Sequence, residues 1–269
     1  MSDSLQETNK IEAAARQNAA LYQTEIPPEV EPIRRLLEYN GILSEDIDAH
    51  IREIISCLLH AVFPYGAIGS FRFLDINPTL RDPLFQVVSR RLKAPGSTEV
   101  FLDVGCCLGH VIRQLIADGV SSERLYGIDL QARFLDLGYD LFRDRGSNRA
   151  TLVSGNMLLD ENPGLDKLIG KVDIIYASAF FHLFERGEHI EAAKQMIRFL
   201  KPNNGSTMIF GNNGGPKIPG WEKYVLDKES WSEMWVEIGT MTGTSWRMEM
   251  SVESNDEWIE AKFAVYRVV

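Results

Sequence analysis

Short apolar runs alternate through the middle of the chain with longer segments of helical periodicity. The apolar runs predict strands at 100–104, 125–128, 151–153, 172–177 and 206–210. Between them, apolar residues recur every three or four positions and predict helices, most clearly at 110–118 and 189–200. Such alternation is typical of a mainly parallel sheet that is covered by helices on both faces.

The pattern changes after the fifth predicted strand. A helical face is indicated by large apolar residues spaced three or four apart, namely Trp231, Met234, Trp235, Ile238 and Met241. Trp246, Met248 and Met250 then alternate with polar residues and predict a strand, and 261–268 follows a turn at 254–256 as another. The sheet is therefore predicted to end in an antiparallel hairpin.

The segment before the first predicted strand carries helical patterns only. Ser44 can cap a helix that ends before Pro64 and whose apolar face contains Ile47, Ile51, Ile54, Ile55, Leu58, Leu59 and Val62. Pro83 suits the first turn of a further helix near 82–90, whereas 65–73 has no regular pattern. The prolines of 26–32 disfavour helix and predict an extended crossing.

This organisation predicts an N-terminal extension and helical lid at 1–97 and a main domain at 98–269. Within the extension, residues 10–40 are expected to fold over the substrate, since they carry scattered apolar anchors and no strand pattern. These anchors are Leu21, Tyr22, Ile26, Ile33, Leu36 and Leu37.

Candidate chemistry lies at the end of the first two predicted strands. The first strand breaks at Gly105 in the loop Gly105-Cys-Cys-Leu-Gly109, and Asp129 ends the second strand about 24 residues later. A nucleotide-binding βαβ unit uses this spacing to place a carboxylate on a ribose. The pattern therefore predicts a site for an adenosine-containing cofactor.

A nicotinamide-dependent oxidoreductase is a competing interpretation of the same layout. Tyr224 and Lys228 even reproduce the Tyr-x-x-x-Lys spacing of short-chain dehydrogenases. However, His110 stands where a pyrophosphate would require a third glycine, which disfavours this reading.

Composition narrows the classes of partner. With 28 basic and 38 acidic residues the formal net charge is -10, so nucleic acid is a poor candidate and a small molecule is favoured. The three cysteines include the vicinal pair Cys106 and Cys107 and match no zinc spacing, which favours a reducing compartment and no metal. Without a signal-peptide pattern or an apolar run of about 20 residues, we expect a cytoplasmic protein with no membrane partner. Oligomeric state is open, and a homodimer is possible.

The ordered motifs resemble those of the class I S-adenosylmethionine-dependent methyltransferases. The strings that carry the resemblance are Phe101-Leu-Asp-Val-Gly-Cys-Cys, Leu125-Tyr-Gly-Ile-Asp-Leu130, Val153-Ser-Gly-Asn-Met157, Val172-Asp-Ile-Ile-Tyr-Ala-Ser178 and Phe180-Phe-His-Leu-Phe184. The chain is most similar to the small fungal methyltransferases of meroterpenoid and polyketide pathways, some of which esterify a carboxylate. The resemblance implies a doubly wound, Rossmann-like sheet of seven strands, with S-adenosylmethionine as the cofactor.

The resemblance also assigns roles to particular residues. Asp103 would orient the loop and the amino-acid part of the cofactor, and Asp129 would bind the ribose. The remaining cofactor-binding positions would be Gly105, Cys107, Gly109, Leu130, Asn156, Met157 and Ala177. The family has a glycine where this chain has Cys107. Asp103 could instead only cap backbone groups, and Met157 could belong to the core.

The acceptor is expected to be a carboxylate of a hydrophobic small molecule. His182 follows the fourth predicted strand and is a candidate for a general base or a substrate-orienting residue, although a packing role is also open. Candidate substrate residues are Tyr22, Phe71, Arg72, Phe181 and Trp246. Methylation of a phenol or an amine, and a cofactor-binding regulatory protein without activity, are the alternatives within this fold.

Overall fold

The computed structural model describes residue 23 and residues 25–61, 66–159, 163–202, 204–216, 227–256 and 258–269. The described residues divide into two compact units. The first unit draws on Met1–Ser89, Cys107–Gly119 and Gln131–Asn148, and the second on Arg90–Cys106, Val120–Leu130 and Arg149–Val269. These borders differ from the division predicted after residue 97, because two segments of the predicted main domain belong to the first unit.

The second unit is built on one mixed sheet. Within the described residues, seven strands have the order β3-β2-β1-β4-β5-β7-β6. Their bounds are β1 Phe101–Val104, β2 Leu125–Asp129, β3 Thr151–Ser154, β4 Ile174–Tyr176, β5 Met208–Pro216, β6 Ser245–Ser254 and β7 Trp258–Val268. Strands β1 to β5 are parallel, and β7 is antiparallel to both β5 and β6. The predicted Rossmann-like sheet with a C-terminal antiparallel pair is confirmed.

Burial explains why these apolar runs become strands. All four residues of β1 and all three of β4 are buried, as expected for parallel strands that are covered on both faces. Strand β6 alternates half-buried and exposed residues, which is the pattern of an antiparallel strand with one solvent face. The core of this unit also receives residues from two helices, Arg186–Phe199 and Lys228–Thr242. Met241 was predicted on the buried face of the latter helix, but it is exposed in its last turn.

Strand β5 is longer than the sequence predicts. The prediction ends it at residue 210, whereas the strand continues to Pro216. The added residues pair with β7, and Asn213 lies opposite Ala261 and Pro216 opposite Trp258. A partner strand thus satisfies backbone groups in a Gly- and Asn-rich segment whose composition alone favours a turn.

The first unit is helical. Its helices span Glu31–Tyr39, Ile47–Ala61, Gly66–Gly69, Asn77–Arg81, His110–Ala117 and Ala132–Phe142, and Pro83–Lys93 crosses the border between the units. Pro83 is the first residue of its helix, as predicted. The segment 65–73, predicted to be irregular, contains the short helix Gly66–Gly69 and a 3-10 turn at Arg72–Leu74.

The extended crossing predicted at 26–32 is wrong beyond Pro27. Pro28 begins a 3-10 turn, and Pro32 lies in the first turn of the helix Glu31–Tyr39. Proline is tolerated there because the first turn of a helix leaves its N–H groups without intrahelical partners. Ile33, Leu36 and Leu37 on this helix are buried in the core of the first unit.

None of the helices in the described parts of the chain combines the length and the apolar composition that crossing a bilayer requires.

Candidate active site

The carboxyl ends of four parallel strands in the second unit form the edge that carries the predicted cofactor residues. Val104 of β1 lies in register with Ile128 of β2, and Asp129 lies in register with Ser154 of β3. In open α/β sheets, ligands bind outside this edge. Gly105, Asp129, Asn156 and Ala177 all lie at or directly after it.

Gly105 makes the sharp turn that takes the chain out of β1. Its φ is 75°, a conformation that glycine adopts without strain. The backbone N–H groups of Gly105 and Cys106 both donate to the carbonyl oxygen of Ile128, at 2.8 and 3.0 Å. A Cβ at Gly105 would lie 3.1 Å from the ring of Phe180, so the turn leaves little room for a side chain.

The second half of the glycine-rich loop belongs to the first unit. Gly109 has a φ of 66° and precedes the helix His110–Ala117. Cys107 has a φ of 52°, and a non-glycine residue in this region costs roughly 1–2 kcal/mol. Its half-buried side chain packs against the core of the first unit. The cofactor contacts predicted for Cys107 and Gly109 remain predictions.

Asp129 and Leu130 present a carboxylate and an apolar side chain side by side. Asp129 is half-buried at the end of β2, and its backbone carbonyl accepts a hydrogen bond from Gly155 at 3.0 Å. The side chain of Leu130 is 60% exposed. A carboxylate can accept hydrogen bonds from two ribose hydroxyls, and an exposed leucine offers a flat apolar face to a purine ring.

Asp103 is a buried acid on the strand beside Asp129. Burial, and then the negative charge of Asp129, raise the pKa of Asp103 to about 8. Its carboxyl group is therefore largely protonated at neutral pH. A cation placed beside it would favour the ionised form, so the position suits a cationic amino group.

The other predicted cofactor residues follow β3 and β4, and two of them, Met157 and Ala177, are buried. The side-chain oxygen of Asn156 accepts a hydrogen bond from the backbone of Leu158 at 2.9 Å, which shapes the turn after β3. Met157 is buried in the core of the second unit. Ala177 is also buried, and its N–H continues the pairing with β5 by donating to Phe210 at 2.9 Å. Any role of Ala177 toward a ligand would therefore fall to its backbone.

His182 lies in a 3-10 turn, Phe181–Leu183, a few residues after β4. Burial and the neighbouring His189 lower the pKa of His182 to about 4. The imidazole is therefore neutral over the physiological pH range. It can accept a proton or a hydrogen bond through one nitrogen and donate through the other.

Two predicted substrate residues, Phe181 and Trp246, lie in different parts of the second unit. The Phe181 ring lies in the core, with its centroid 5.2 Å from that of Trp231 and 5.7 Å from that of Phe263. Trp246 is the second residue of β6 and pairs with Arg267, at the end of the sheet where β4 and β5 start. It therefore lies away from the carboxyl edge. The structure thus separates Trp246 from His182.

Two further predicted substrate residues, Phe71 and Arg72, belong to the first unit. Phe71 is buried in the core of the first unit, and Arg72 is exposed there. Tyr22, and Tyr224 of the dehydrogenase-like spacing, lie outside the described residues.

A polar network around the end of β4 was missed by sequence analysis. Ser178 donates to the side chain of Asn212 at 2.7 Å, and Asn212 donates to Glu260 at 3.3 Å. Asn213 and His189 contact the backbone of Phe181. The sequence signal for this network is the pair Asn212 and Asn213, which comes soon after the apolar run of β5. Polar residues near the carboxyl end of a parallel strand often contact a ligand.

The fold and the carboxyl-edge site define a Rossmann-like protein of the methyltransferase class. Residues 101–203 match the family model described as a methyltransferase domain. O-methyltransferase phiE of a fungal species (strain ATCC 74256) is 34% identical over 255 residues, which cover 91% of this chain and 83% of that protein. Asnovolin E/Chermesin D methyltransferase nvfJ of Aspergillus novofumigatus is 35% identical over 84% of this chain and 82% of its own length.

A solved structure supports the fold. Magnesium protoporphyrin IX methyltransferase from Synechocystis PCC 6803, with bound S-adenosylhomocysteine, matches 73% of this chain and 86% of its own with a TM-score of 0.50 and 13% identity. The chain belongs to the class I S-adenosylmethionine-dependent methyltransferases, in the family of the small fungal methyltransferases.

S-adenosylmethionine is the cofactor, and the second unit has residues that fit it. Asp129 and Leu130 would hold its ribose and adenine, and the buried carboxyl of Asp103 suits its cationic amino group. The cofactor supplies an activated methyl group. The apolar ring of Phe180 lies against the Gly105 turn.

Proposed function

We propose that this methyltransferase transfers the methyl group to a carboxylate oxygen of a hydrophobic small molecule of the meroterpenoid or polyketide type, giving a methyl ester. Two names among its relatives support methyl transfer to oxygen and a small-molecule acceptor, without naming the acceptor atom. One relative is named an O-methyltransferase, and another is named for asnovolin E and chermesin D.

The observation that carries the proposal is the low pKa of His182. A base with a pKa of about 4 is a weak acceptor for the proton of a phenol, whose pKa is about 10. A carboxylic acid has a pKa near 4 and is already ionised at neutral pH. An acceptor of this kind needs no base, and the neutral imidazole of His182 remains suited to donating a hydrogen bond to it.

On this proposal, the chain contributes orientation and exclusion of water. His182 would hold one carboxylate oxygen by a hydrogen bond while the other oxygen points at the methyl group. Phe180 and Phe184, whose ring centroids are 4.9 Å apart, would keep water from the reacting atoms. Orientation alone can contribute roughly 7–11 kcal/mol to a barrier. The transfer consumes the carboxylate charge, so no proton has to move.

The test compares matched acceptors with a labelled methyl donor. An apolar carboxylic acid, its phenol analogue and its amine analogue are each incubated with the protein and methyl-labelled S-adenosylmethionine. We expect label in the product of the acid only, and we expect mild alkaline hydrolysis to release it as labelled methanol. Label that survives alkali, or that appears only with the phenol or the amine, would refute the carboxylate assignment.

The same experiment addresses the inactive alternative. Calorimetric binding of S-adenosylhomocysteine without label transfer to any acceptor would favour a regulatory protein. A cytoplasmic location remains part of the proposal, and the three cysteines, Cys57, Cys106 and Cys107, are reduced thiols, which is consistent with a reducing compartment.

A further inference from the structure

Two buried polar side chains hold the backbone of Phe181 from opposite sides of its residue. The side-chain oxygen of Asn213 accepts a hydrogen bond from the N–H of Phe181 at 3.1 Å. The Nε2 atom of His189 lies 2.5 Å from the carbonyl oxygen of the same residue. Asn213 is 5% exposed and His189 is 1% exposed. Phe181 directly precedes His182 in the chain.

The chemistry of these contacts fixes the state of His189. A carbonyl oxygen only accepts hydrogen bonds, so Nε2 must carry the proton. Burial lowers the pKa of His189 and keeps the ring neutral, although hydrogen bonds to backbone carbonyls act in the opposite direction. The required form of His189 is therefore the neutral tautomer protonated at Nε2.

Both side chains belong to rigid elements, whereas Phe181 belongs to a loop. Asn213 is a paired residue of β5, opposite Ala261. His189 lies in the first turn of the helix Arg186–Phe199, which a reciprocal capping box between Glu185 and Glu188 closes. The loop after β4 is thus fastened to a strand and to a helix just before His182.

The loop itself is held under strain. Ala179 has a φ of 50°, which is unfavourable for a residue with a side chain. Such conformations persist where the surroundings determine them, and here the N–H of Ala179 donates to Asn212 at 2.8 Å. The Phe181 ring also packs edge-on against His189, with centroids 5.7 Å apart. The contacts to Phe181 therefore fix the position of the backbone of His182.

We propose that Asn213 and His189 are positioning residues for methyl transfer, which fix the Phe181 peptide groups and thereby place His182 against the acceptor. The inference rests on the proposed role of His182. Neither side chain needs to touch the cofactor or the substrate.

The test replaces each partner by one variant that keeps the hydrogen bond and one that loses it. His189→Gln keeps a donor near the position of Nε2, and His189→Leu removes it. Asn213→Asp keeps an acceptor oxygen, and Asn213→Leu removes it. We expect the two leucine variants to lower kcat roughly 10- to 100-fold, because misplacement by about 1 Å can cost 100-fold. KM and the dissociation constant of S-adenosylhomocysteine should stay within about twofold, and His189→Gln should regain most of kcat.

Gln195→Leu is the matched control. Gln195 lies on the same helix as His189 and is 2% exposed, and its side-chain oxygen accepts a hydrogen bond from Arg198 on that helix. We expect kcat to stay near that of the wild type in this variant, even if its melting temperature falls. If Gln195→Leu lowers kcat as much as His189→Leu does, the effect is general loosening and the proposal is wrong.

A double-mutant cycle separates this inference from the proposed function. We call the contacts of Asn213 and His189 with the Phe181 backbone the clamp. If the clamp acts through His182, Asn213→Leu should lower kcat little further in a His182→Ala background. Full additivity would overturn the inference. A normal kcat in His182→Ala alone would refute the proposed role of His182, and normal kcat in both leucine variants would refute only the clamp.

Hydrogen exchange in the free protein gives a readout for variants that are too unstable for kinetics. The Phe181 amide should lose protection in Asn213→Leu and keep it in Asn213→Asp and in Gln195→Leu. Unchanged protection in Asn213→Leu would contradict the clamp.

Discussion

Asp103 and Asp129 lie on neighbouring parallel strands, and the charge of Asp129 adds to burial in raising the pKa of Asp103 to about 8. The second unit therefore keeps a protonated carboxyl group beside an acidic residue at its cofactor edge. This relationship links the stability of the protein to pH.

We expect Asp103→Asn to flatten the dependence of stability on pH above 6.5. Between pH 4 and 8, folded Asp103 binds a proton that the unfolded chain has released, so the free energy of unfolding falls as pH rises. Over pH 6.5–8 the loss due to Asp103 should be on the order of 1–2 kcal/mol, measured as the change in the difference between the wild type and the asparagine variant. Urea unfolding at several pH values measures it.

The buried histidines act in the opposite direction. Burial lowers the pKa values of His110 and His182 to about 4, and that of His189 below its usual value. These groups make stability rise with pH until unfolded histidine has lost its proton, roughly one pH unit above its pKa of about 6.5, and they do so equally in the wild type and in Asp103→Asn. Parallel curves for the wild type and Asp103→Asn between pH 6.5 and 8 would contradict a raised pKa at Asp103.

Asp129→Ala should weaken binding of the cofactor. The loss of hydrogen bonds to a charged group costs about 1.5–3 kcal/mol, which corresponds to a roughly 10- to 150-fold rise in the dissociation constant. Calorimetry with S-adenosylhomocysteine measures this. The control is Glu123→Ala, because Glu123 is an exposed acid before the other end of the same strand. Wild-type affinity in Asp129→Ala would remove Asp129 from the ribose site.

Gly211→Ala should destabilise the second unit. A Cβ there would lie 2.1 Å from the carbonyl oxygen of Ala177, and no side-chain rotation can relieve a clash with backbone. We expect a loss of about 3 kcal/mol or more, at or beyond the upper end for overpacking, in urea unfolding. Gly187→Ala is the control, since a Cβ there has no atom from outside its own helix and chain neighbours within 4 Å, and alanine favours the helix. Equal stability of both variants would mean that β4 and β5 can separate at little cost.

The sequence predicts the parallel strands well because each is a short apolar run between polar or glycine residues. Strands β1 and β2 begin and end within one residue of the prediction, and Asp129 ends β2 as expected. The extension of β5 was missed because its partner Ala261 is distant in sequence and the residues 211–215 resemble a turn. Local composition cannot reveal a pairing of this kind.

The candidate site was predictable only where backbone topology decides it. A residue at the end of a parallel strand lies at the carboxyl edge whatever its neighbours, which is why the positions of Gly105 and Asp129 at that edge were predictable. Whether an aromatic ring faces a ligand or the core depends on tertiary packing. The sequence alone therefore could not assign Phe181 and Trp246 to the core or to a ligand site. The contacts of His189 and Asn213 with Phe181 required a folded chain.

Deleting residues 1–25 should leave folding and cofactor binding largely unchanged and slow turnover strongly. Ile26, Ile33, Leu36 and Leu37, which are buried in the core of the first unit, remain in the truncated chain. If the deleted segment is part of a lid, its loss admits water to the acceptor and lowers kcat. Thermal melting and calorimetry serve as controls for folding and cofactor affinity. Normal kcat and KM after truncation would show that the segment is a tail.

His182→Ala should lower kcat without changing the shape of its pH profile between pH 6 and 9. With a pKa of about 4, His182 is neutral throughout that range, so its contribution to methylation of an acid is a hydrogen bond that does not titrate. We expect a loss of roughly 10- to 100-fold, because a misaligned acceptor loses part of the benefit of orientation. If His182 were instead the base for a phenol, the limb of kcat set by its pKa of about 4 would lie below this window, and the variant would lose about 10²- to 10⁴-fold in rate with the phenol analogue at every pH from 6 to 9. Measuring kcat of both proteins with the acid and with its phenol analogue decides between the two roles, since a loss of that size with the phenol contradicts a purely positioning histidine.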